Sequence, residues 1–486
     1  MTGGWFSGTM LDSKQLGCRA FAGHPFFISG VFMSKKSLIK DLTVGPVVPL
    51  LLQFAFPIML SNLLQTAYNM ADMVIIGRYA GSVGLSSVSI GGDVLHFFMF
   101  LGMGFATAGQ IIVSQYVGAG RRDDLKRVIG TLFTSILLLS AALTVLSLIL
   151  SGWLLGVLHA PKESAAGARD YILCCSVGMV FTLGYNMVSA ILRGMGDSRH
   201  PMMFVAISTV INIILDLIMI GTFKMGAFGA ALATVISQGI SLVLSIVYLY
   251  INREAFAFDF KRESFRPDPV VVKFMVRLGI PMAIQTSASS ISALFVSSFV
   301  NRYGVVASAV TGVGTRLSSL ALIVANSMNV SSSAMVGQCF GAGKMDRIRR
   351  SFWSVFTVDF IFVTTLSIII LLFPEWVFGF FNKDTEVLKM ARLYAPVAAI
   401  MFMGFAVRSP SLGFINGLGH SRMNFMMGVV EGFILRIGLT YLLGIVLNLG
   451  IQGFWYGSAI ASYGYGLVVF PYFLSGKWEH RRSTVQ

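Results

Sequence analysis

The sequence predicts an all-α polytopic membrane protein with twelve transmembrane helices in two six-helix lobes, related by an internal pseudo-twofold repeat. Three observations carry that prediction. Apolar runs of 18 or more residues recur along a 486-residue chain that is 55% hydrophobic and 12% charged, with mean hydropathy +0.78. Lys and Arg gather in alternate gaps between the runs. Motifs of the first half return in the second at a nearly constant offset. Backbone groups in hydrocarbon must pair internally, so runs of this length are helices.

Residues 1–32 contain no span long enough to cross a bilayer, and Met33 opens a short basic segment. This extension reads as a disordered tail or an upstream start chosen in error. Six apolar spans follow at 48–76, 85–116, 127–158, 168–192, 201–221 and 226–251. Six more lie at 273–300, 307–338, 350–378, 388–415, 422–447 and 453–475. The longest polar stretch, NREAFAFDFKRESFRPDP, separates the two sets. The expected organisation is therefore a first lobe at 33–252, a linker at 253–272, a second lobe at 273–476 and a tail at 477–486.

Charge sets the expected orientation. Lys35, Lys36 and Lys40 precede the first span, and Arg121, Arg122, Lys126 and Arg127 follow the second. Arg199, Arg253, Lys261, Arg262 and Arg266 mark the fourth and sixth; Lys344, Arg347, Arg349, Arg350, Arg422, Lys477 and Arg481 continue the pattern. The intervening loops read as short and poor in Lys and Arg. The positive-inside rule places both termini in the cytoplasm of a plasma-membrane protein. The net charge of +15 is topogenic, and no nucleic-acid partner is expected.

The repeat is quantitative. Gln115-Tyr-Val-Gly-Ala-Gly returns as Gln338-Cys-Phe-Gly-Ala-Gly, and Gly194-Met-Gly-Asp-Ser-Arg as Gly417-Leu-Gly-His-Ser-Arg; 338 − 115 and 417 − 194 are both 223. Pro57 and Pro281 lie 281 − 57 = 224 apart. An even six-span repeat keeps one orientation, so the halves are parallel repeats about an axis along the membrane normal. Transporters use that plan to rock two lobes around a shared cavity.

Carboxylates at membrane depth are costly and default to functional hypotheses. Asp216 lies on PMMFVAISTVINIILDLIMIG with Asn212 one turn before it, on the same helical face. On the first span Asn62, Gln65, Asn69 and Asp72 form a polar stripe, with Pro57 below it. Asp72 and Asp216 share a depth, and Thr234 of the sixth span is placed to join them. Two carboxylates, an amide and a hydroxyl suit H⁺ or Na⁺; a structural hydrogen-bond network is the bland alternative. The offset maps Asp72 onto Val296 and Asp216 onto Leu439 or Thr440, so the acids belong to the first lobe alone. Gln285, Glu431 and Arg436 are candidates for the cavity between lobes. A spacing of five sets Glu431 and Arg436 about 140° apart on an α-helix, so they need not pair. Asp93 and Asp359 are weaker candidates. Cys18, Cys174, Cys175 and Cys339 make no metal or disulfide pattern, and no GxSxG, HExxH or P-loop motif is present. The chain is not expected to be an enzyme or to hold a cofactor, and its energy source is an ion gradient.

FPIMLSNLLQTAYNMADMVIIGR, QYVGAG, LRGMGDSRHPM, INIILD and GAFGAALAT together resemble the multidrug and toxic compound extrusion (MATE) family, over about residues 40 to 475. The resemblance implies a V-shaped two-lobe fold that exports organic cations and amphipathic drugs in exchange for H⁺ or Na⁺. In its DinF-type branch an ion network matches Asp72, Asn212, Asp216 and Thr234 here, and a bending proline matches Pro57. The NorM-type branch relies on second-lobe acids, where this sequence offers Gln285. The expected protein is a monomeric antiporter for cationic or amphipathic small molecules in the lipid bilayer. The alternatives are a lipid-linked saccharide or other lipid flippase of the same superfamily, often marked by a strongly cationic cavity that the sequence does not reveal, or an ion channel.

Overall fold

The computed structural model describes residues 39–158, 161–481 and 483, and the extension at 1–32 lies outside them. Among the described residues the chain forms twelve long helices. The first two, α1 (47–80) and α2 (82–118), run as one 72-residue rod interrupted at Gly81, whose φ of 65° and ψ of −165° leave the helical region. Only glycine enters that region without strain. There follow α3 (Arg122–Val157), α4 (Lys162–Gly194), α5 (Arg199–Thr222) and α6 (Gly226–Ile251). The second set is α7 (Pro269–Val300), α8 (Val305–Gly341), α9 (Met345–Leu372), α10 (Thr385–Gly417), α11 (Ser421–Val446) and α12 (450–474).

Two helix starts are set by side-chain caps. Asp268 accepts the backbone N–H of Val270 with Pro269 in the first turn of α7, and Asp384 caps α10 through Glu386 N–H. Two spans depart from expectation. The ninth ends at Leu372 instead of 378, because Pro374 cannot continue the ladder and starts a separate turn, Pro374–Gly379. The twelfth is broken between Ala461 and Gly464.

The helices pack as two lobes. In the first, α4 contacts the α1–α2 rod, α3 and α6, and α5 packs on α6; in the second, α10 packs on α8 and α9. The lobes meet at the end bearing the loops after α2, α4, α8 and α10, here the basic end, and splay toward the other as a V. Large apolar side chains such as Val74, Ile149, Trp153 and Leu294 lie exposed on the helices, the surface a bilayer would cover. At the opposite end, the first turns of α10 carry Lys389 and Arg392, which pair with Glu386 and Glu375. These cations at the end expected to be poor in them have their charge locally answered.

Two helices change lobes along their length. Leu51, Phe54 and Ile58 of α1 pack into the second lobe's core with Met335, Phe340, Phe414 and Phe473. Farther along, Ile75 and Ile76 pack in the first lobe with Ile220 and Ala230. Pro57 lies where α1 leaves one core for the other. On α7, Gly279 abuts Phe105 of α2, while Val296 and Val300 belong to the second lobe's core. Pro281 lies at the start of that crossing.

Candidate ion and substrate sites

At the basic end the repeated motif is a clamp. Gln115 Nε2 donates to the Gly417 carbonyl across the lobes at 2.9 Å, and Gln338 Nε2 donates to the Gly194 carbonyl at 3.0 Å. These bonds are each other's repeat images. The helices cross so closely that a Cβ on Gly118 would stand 1.9 Å from the Gln338 oxygen, and one on Gly341 2.1 Å from the Gln115 oxygen. The glycines of QYVGAG and QCFGAG are therefore the crossing point of α2 and α8. Arg347 adds bonds to the carbonyls of Leu42, Val44 and Gly45, and Lys344 bonds Thr43. Asn62 Nδ2 reaches Ser327 Oγ at 3.3 Å, about 22 Å along α1 from its start. Beyond that level no cross-lobe hydrogen bond occurs among the described residues.

Above the clamp a cavity of about 730 Å³ separates the lobes. Gln285 and Arg436 line it, as do Asn186 and Gln110. Glu431 does not: it is 0% exposed and stands behind Arg436, bonded to its guanidinium and accepting Ser289 Oγ at 2.8 Å. The expectation that these two need not pair fails for a local reason. Val429–Ile437 is wound as a π-helix, whose i→i+5 bonding brings residues five apart onto one face. The cavity also holds Arg193 and Arg408, and no Asp or Glu is among its described lining residues. The cavity is thus more basic than the sequence suggested, because Arg193 and Arg408 join Arg436 at its wall. Arg408 lies within a span, where the cost that singled out Asp216 also applies.

The first-lobe acids come together within α1, α4, α5 and α6. The carboxyls of Asp72 and Asp216 lie within hydrogen-bonding reach of each other. Asp216 is 0% exposed, and neither of its oxygens meets a donor; Asp72 Oδ1 is likewise buried and unpartnered. Tyr68 and Tyr171, which were not anticipated, lie near the pair, with Cys175 against Tyr171. Asp216 closes the α-helical part of α5, and the next turn, Leu217–Thr222, is π-wound. Such turns recur at functional sites.

One turn inward, Asn212 is 2% exposed, with both amide atoms unpartnered. It lines a void of about 10 Å³ with Gln65, Tyr68, Ser208 and Gln238, room for roughly one water. Gln65, Tyr185 and Val205 line both this void and the large cavity, so the void beside Asn212 adjoins the space between lobes. Thr234 does not join by hydrogen bond: its hydroxyl donates to the Ala230 carbonyl of its own helix at 2.9 Å. Asn69 is exposed, one residue off the wall that Tyr68 forms. Asp359 is buried on α9 against Ser409, away from both cavities. No cluster of three or more His, Cys, Asp or Glu suited to a metal occurs among the described residues.

Outside the spans, His420 sits between α10 and α11. Burial pushes its imidazole down to about 4, helped by Arg481 and Arg422.

The family model MatE matches residues 57–218 and again residues 281–442. The chain belongs to the MatE family. The two matches start 281 − 57 = 224 residues apart, the offset of the repeat. Probable multidrug resistance protein YoeA of Bacillus subtilis is 27% identical over 436 residues, covering 89% of this chain and 94% of the relative. Probable multidrug resistance protein NorM of Thermotoga maritima is 27% identical over 443 residues, with 89% and 93% covered. A solved outward-facing MATE transporter superposes with a TM-score of 0.83 at 20% identity, over 92% of this chain and all of that one. MatE proteins are multi-pass membrane transporters, and the multidrug homologues put small-molecule drugs among the substrates of this chain's class.

Proposed function

We propose that this MatE protein is a plasma-membrane antiporter that exports amphipathic small molecules in exchange for H⁺ or Na⁺ bound between Asp72 and Asp216, as in the DinF-type branch. The observation that carries the reading is the carboxyl pair itself. Fully buried Asp216 and half-buried Asp72 face each other with three buried acceptor oxygens and no protein donor, a state that costs free energy until a proton or cation occupies it. Asn212 supplies a neutral ligand from the turn below. Thr234 enters only if its hydroxyl rotates away from Ala230.

The basic end faces the cytoplasm, with both termini. In the state described, the Gln115 and Gln338 clamp closes that side and the substrate cavity opens outward. Access alternates by bending α1 and α7 near Pro57 and Pro281, where each passes between cores. Filling the carboxyl site alters the packing of α1 against α5 and biases that bend. Carrying a population from 1:99 to 99:1 takes about 5.5 kcal/mol of differential binding, so substrate release contributes as well. The lobes are 33–252 and 273–476, joined by 253–272, and the unit is a monomer.

The test is flux of ethidium and of taurocholate in proteoliposomes under imposed pH or Na⁺ gradients. Wild type is expected to move at least one of them with one gradient, and Asp216→Asn to lose that coupling. Gradient-driven flux in Asp216→Asn equal to wild type sinks the assignment.

A further inference from the structure

The central cavity is basic. Arg193, Arg408 and Arg436 reach it, and no carboxylate is among its described lining residues. Glu431, behind the wall, answers Arg436. Arg193 Nε donates to Gln110 Oε1 at 3.1 Å. Arg408 makes no ion pair among the described residues; its guanidinium lies 5.1 Å from the Tyr465 ring centroid. The Nε groups of Arg408 and Arg436 are both buried without an acceptor. Orphaned charged donors in a cavity wall are costly, and an anionic acceptor is what satisfies them. A permanent organic cation would instead meet uncompensated like charge in a medium of low dielectric.

Much of the remaining wall is Ser, Thr, Asn and Gln, and its apolar part is soft. Met282, Met401, Phe405 and Trp455 line it beside the guanidiniums. Methionine surfaces repack around varied bodies, so shape selectivity is low while the charged head is fixed.

We propose that the cavity takes amphipathic anions, with a carboxylate, phosphate or sulfonate head held by Arg408 and Arg436 and an apolar body against Met282, Met401, Phe405 and Trp455. This rests on reading that cavity as the substrate site of the transporter. It replaces the organic cations of the sequence expectation with the opposite charge. Export of an anion also runs with an inside-negative membrane potential.

The test is binding of taurocholate and of ethidium to the purified full-length protein, followed by the same probes in proteoliposomes. Taurocholate is expected to bind more tightly than ethidium. Arg408→Gln is expected to weaken taurocholate about tenfold, the loss of one charge-assisted bond, with ethidium unchanged or improved. Arg408→Lys, which keeps the charge, should restore most of the affinity. Because Arg436→Gln alone would strand buried Glu431, the second variant is Glu431→Gln with Arg436→Gln, expected to weaken taurocholate in the same direction. Tighter binding of ethidium by wild type, or equal loss of both probes in Arg408→Gln, overturns the proposal. Vesicles carrying fluorescent phosphatidylglycerol separate the two sources of such a head. Arg408-dependent movement of that lipid supports a bilayer anion, and Arg408-dependent movement of taurocholate a soluble one. Arg408-dependent binding with no gradient-driven movement of any probe keeps the anion assignment and fails the antiport reading.

Discussion

At an offset of 224 residues, Asn212 and Asp216 of α5 correspond to Arg436 and Thr440 of α11, and Asp72 of α1 corresponds to Val296 of α7. At 223, Tyr185 of α4 corresponds to Arg408 of α10. The same helix scaffold thus presents unpaired carboxyls from the first lobe and, apart from Arg193 of α4, the cavity's guanidiniums from the second. The first-lobe acids lie off the cavity wall near Tyr68, whereas Arg408 and Arg436 stand at it. Separating the charges this way keeps them from neutralising each other as an ion pair. Each lobe can then hold its own client, and the crossing of α1 and α7 between cores gives the two a mechanical link.

The largest expected effect comes from breaking the first-lobe side of this comparison. Asp216→Asn should lower gradient-driven flux about 100-fold, near the upper range of inter-site coupling, while its counterpart Thr440→Val stays within about twofold of wild type. Flux measured side by side in proteoliposomes checks both, and equal losses would erase the asymmetry. Next in size is the clamp. Gln115→Ala removes a buried cross-lobe bond of about 1 kcal/mol and should raise the cytoplasm-open population about fivefold. Gln338→Ala removes the matching bond to Gly194 and also strands the Leu42 N–H that its Oε1 accepts at 2.8 Å, so its effect should be at least as large. Distances between spin labels on Gly120 and Gly343 report that shift, and a smaller effect of Gln338→Ala than of Gln115→Ala would contradict this reading of the clamp.

The smallest effect concerns His420, whose repeat counterpart is Asp197. The folded imidazole holds its proton less tightly than an unfolded one near 6.5. The unfolded state therefore takes up the proton first as pH falls, and stability present above about pH 6.5 is lost toward pH 4. His420→Gln should flatten the fall of detergent melting temperature between pH 7 and 5; an unchanged slope refutes this source.

The chain's fold was largely legible because membrane solvent forces one solution: each long apolar run had to be a helix, and a constant offset had to be a repeat. What failed was local. Pro374 ended α9 early, and Gly81 carried no mark separating it from neighbouring glycines. The meeting of Glu431 with Arg436 depended on π winding, which α-periodicity cannot express. Asp72 and Asp216 were readable because burial cost singles out acids at depth. Arg408 obeys the same physics, but a lone base nearer the expected cytoplasmic end of a span also fits the positive-inside pattern. Tyr68, Tyr171 and Cys175 look like ordinary span residues, and only three-dimensional packing brings them near the acids. Thr234 shared the right depth, but a serine or threonine hydroxyl in a helix has its own backbone carbonyl within reach.

The central claim is that a cation site in one lobe and a substrate site in the other exclude or expel each other's clients. Proton release from purified protein on adding taurocholate, in weakly buffered detergent solution, tests it most directly. Wild type should release protons on binding, and Asp72→Asn with Asp216→Asn should bind taurocholate while releasing none. Undiminished proton release from that double variant would contradict the account.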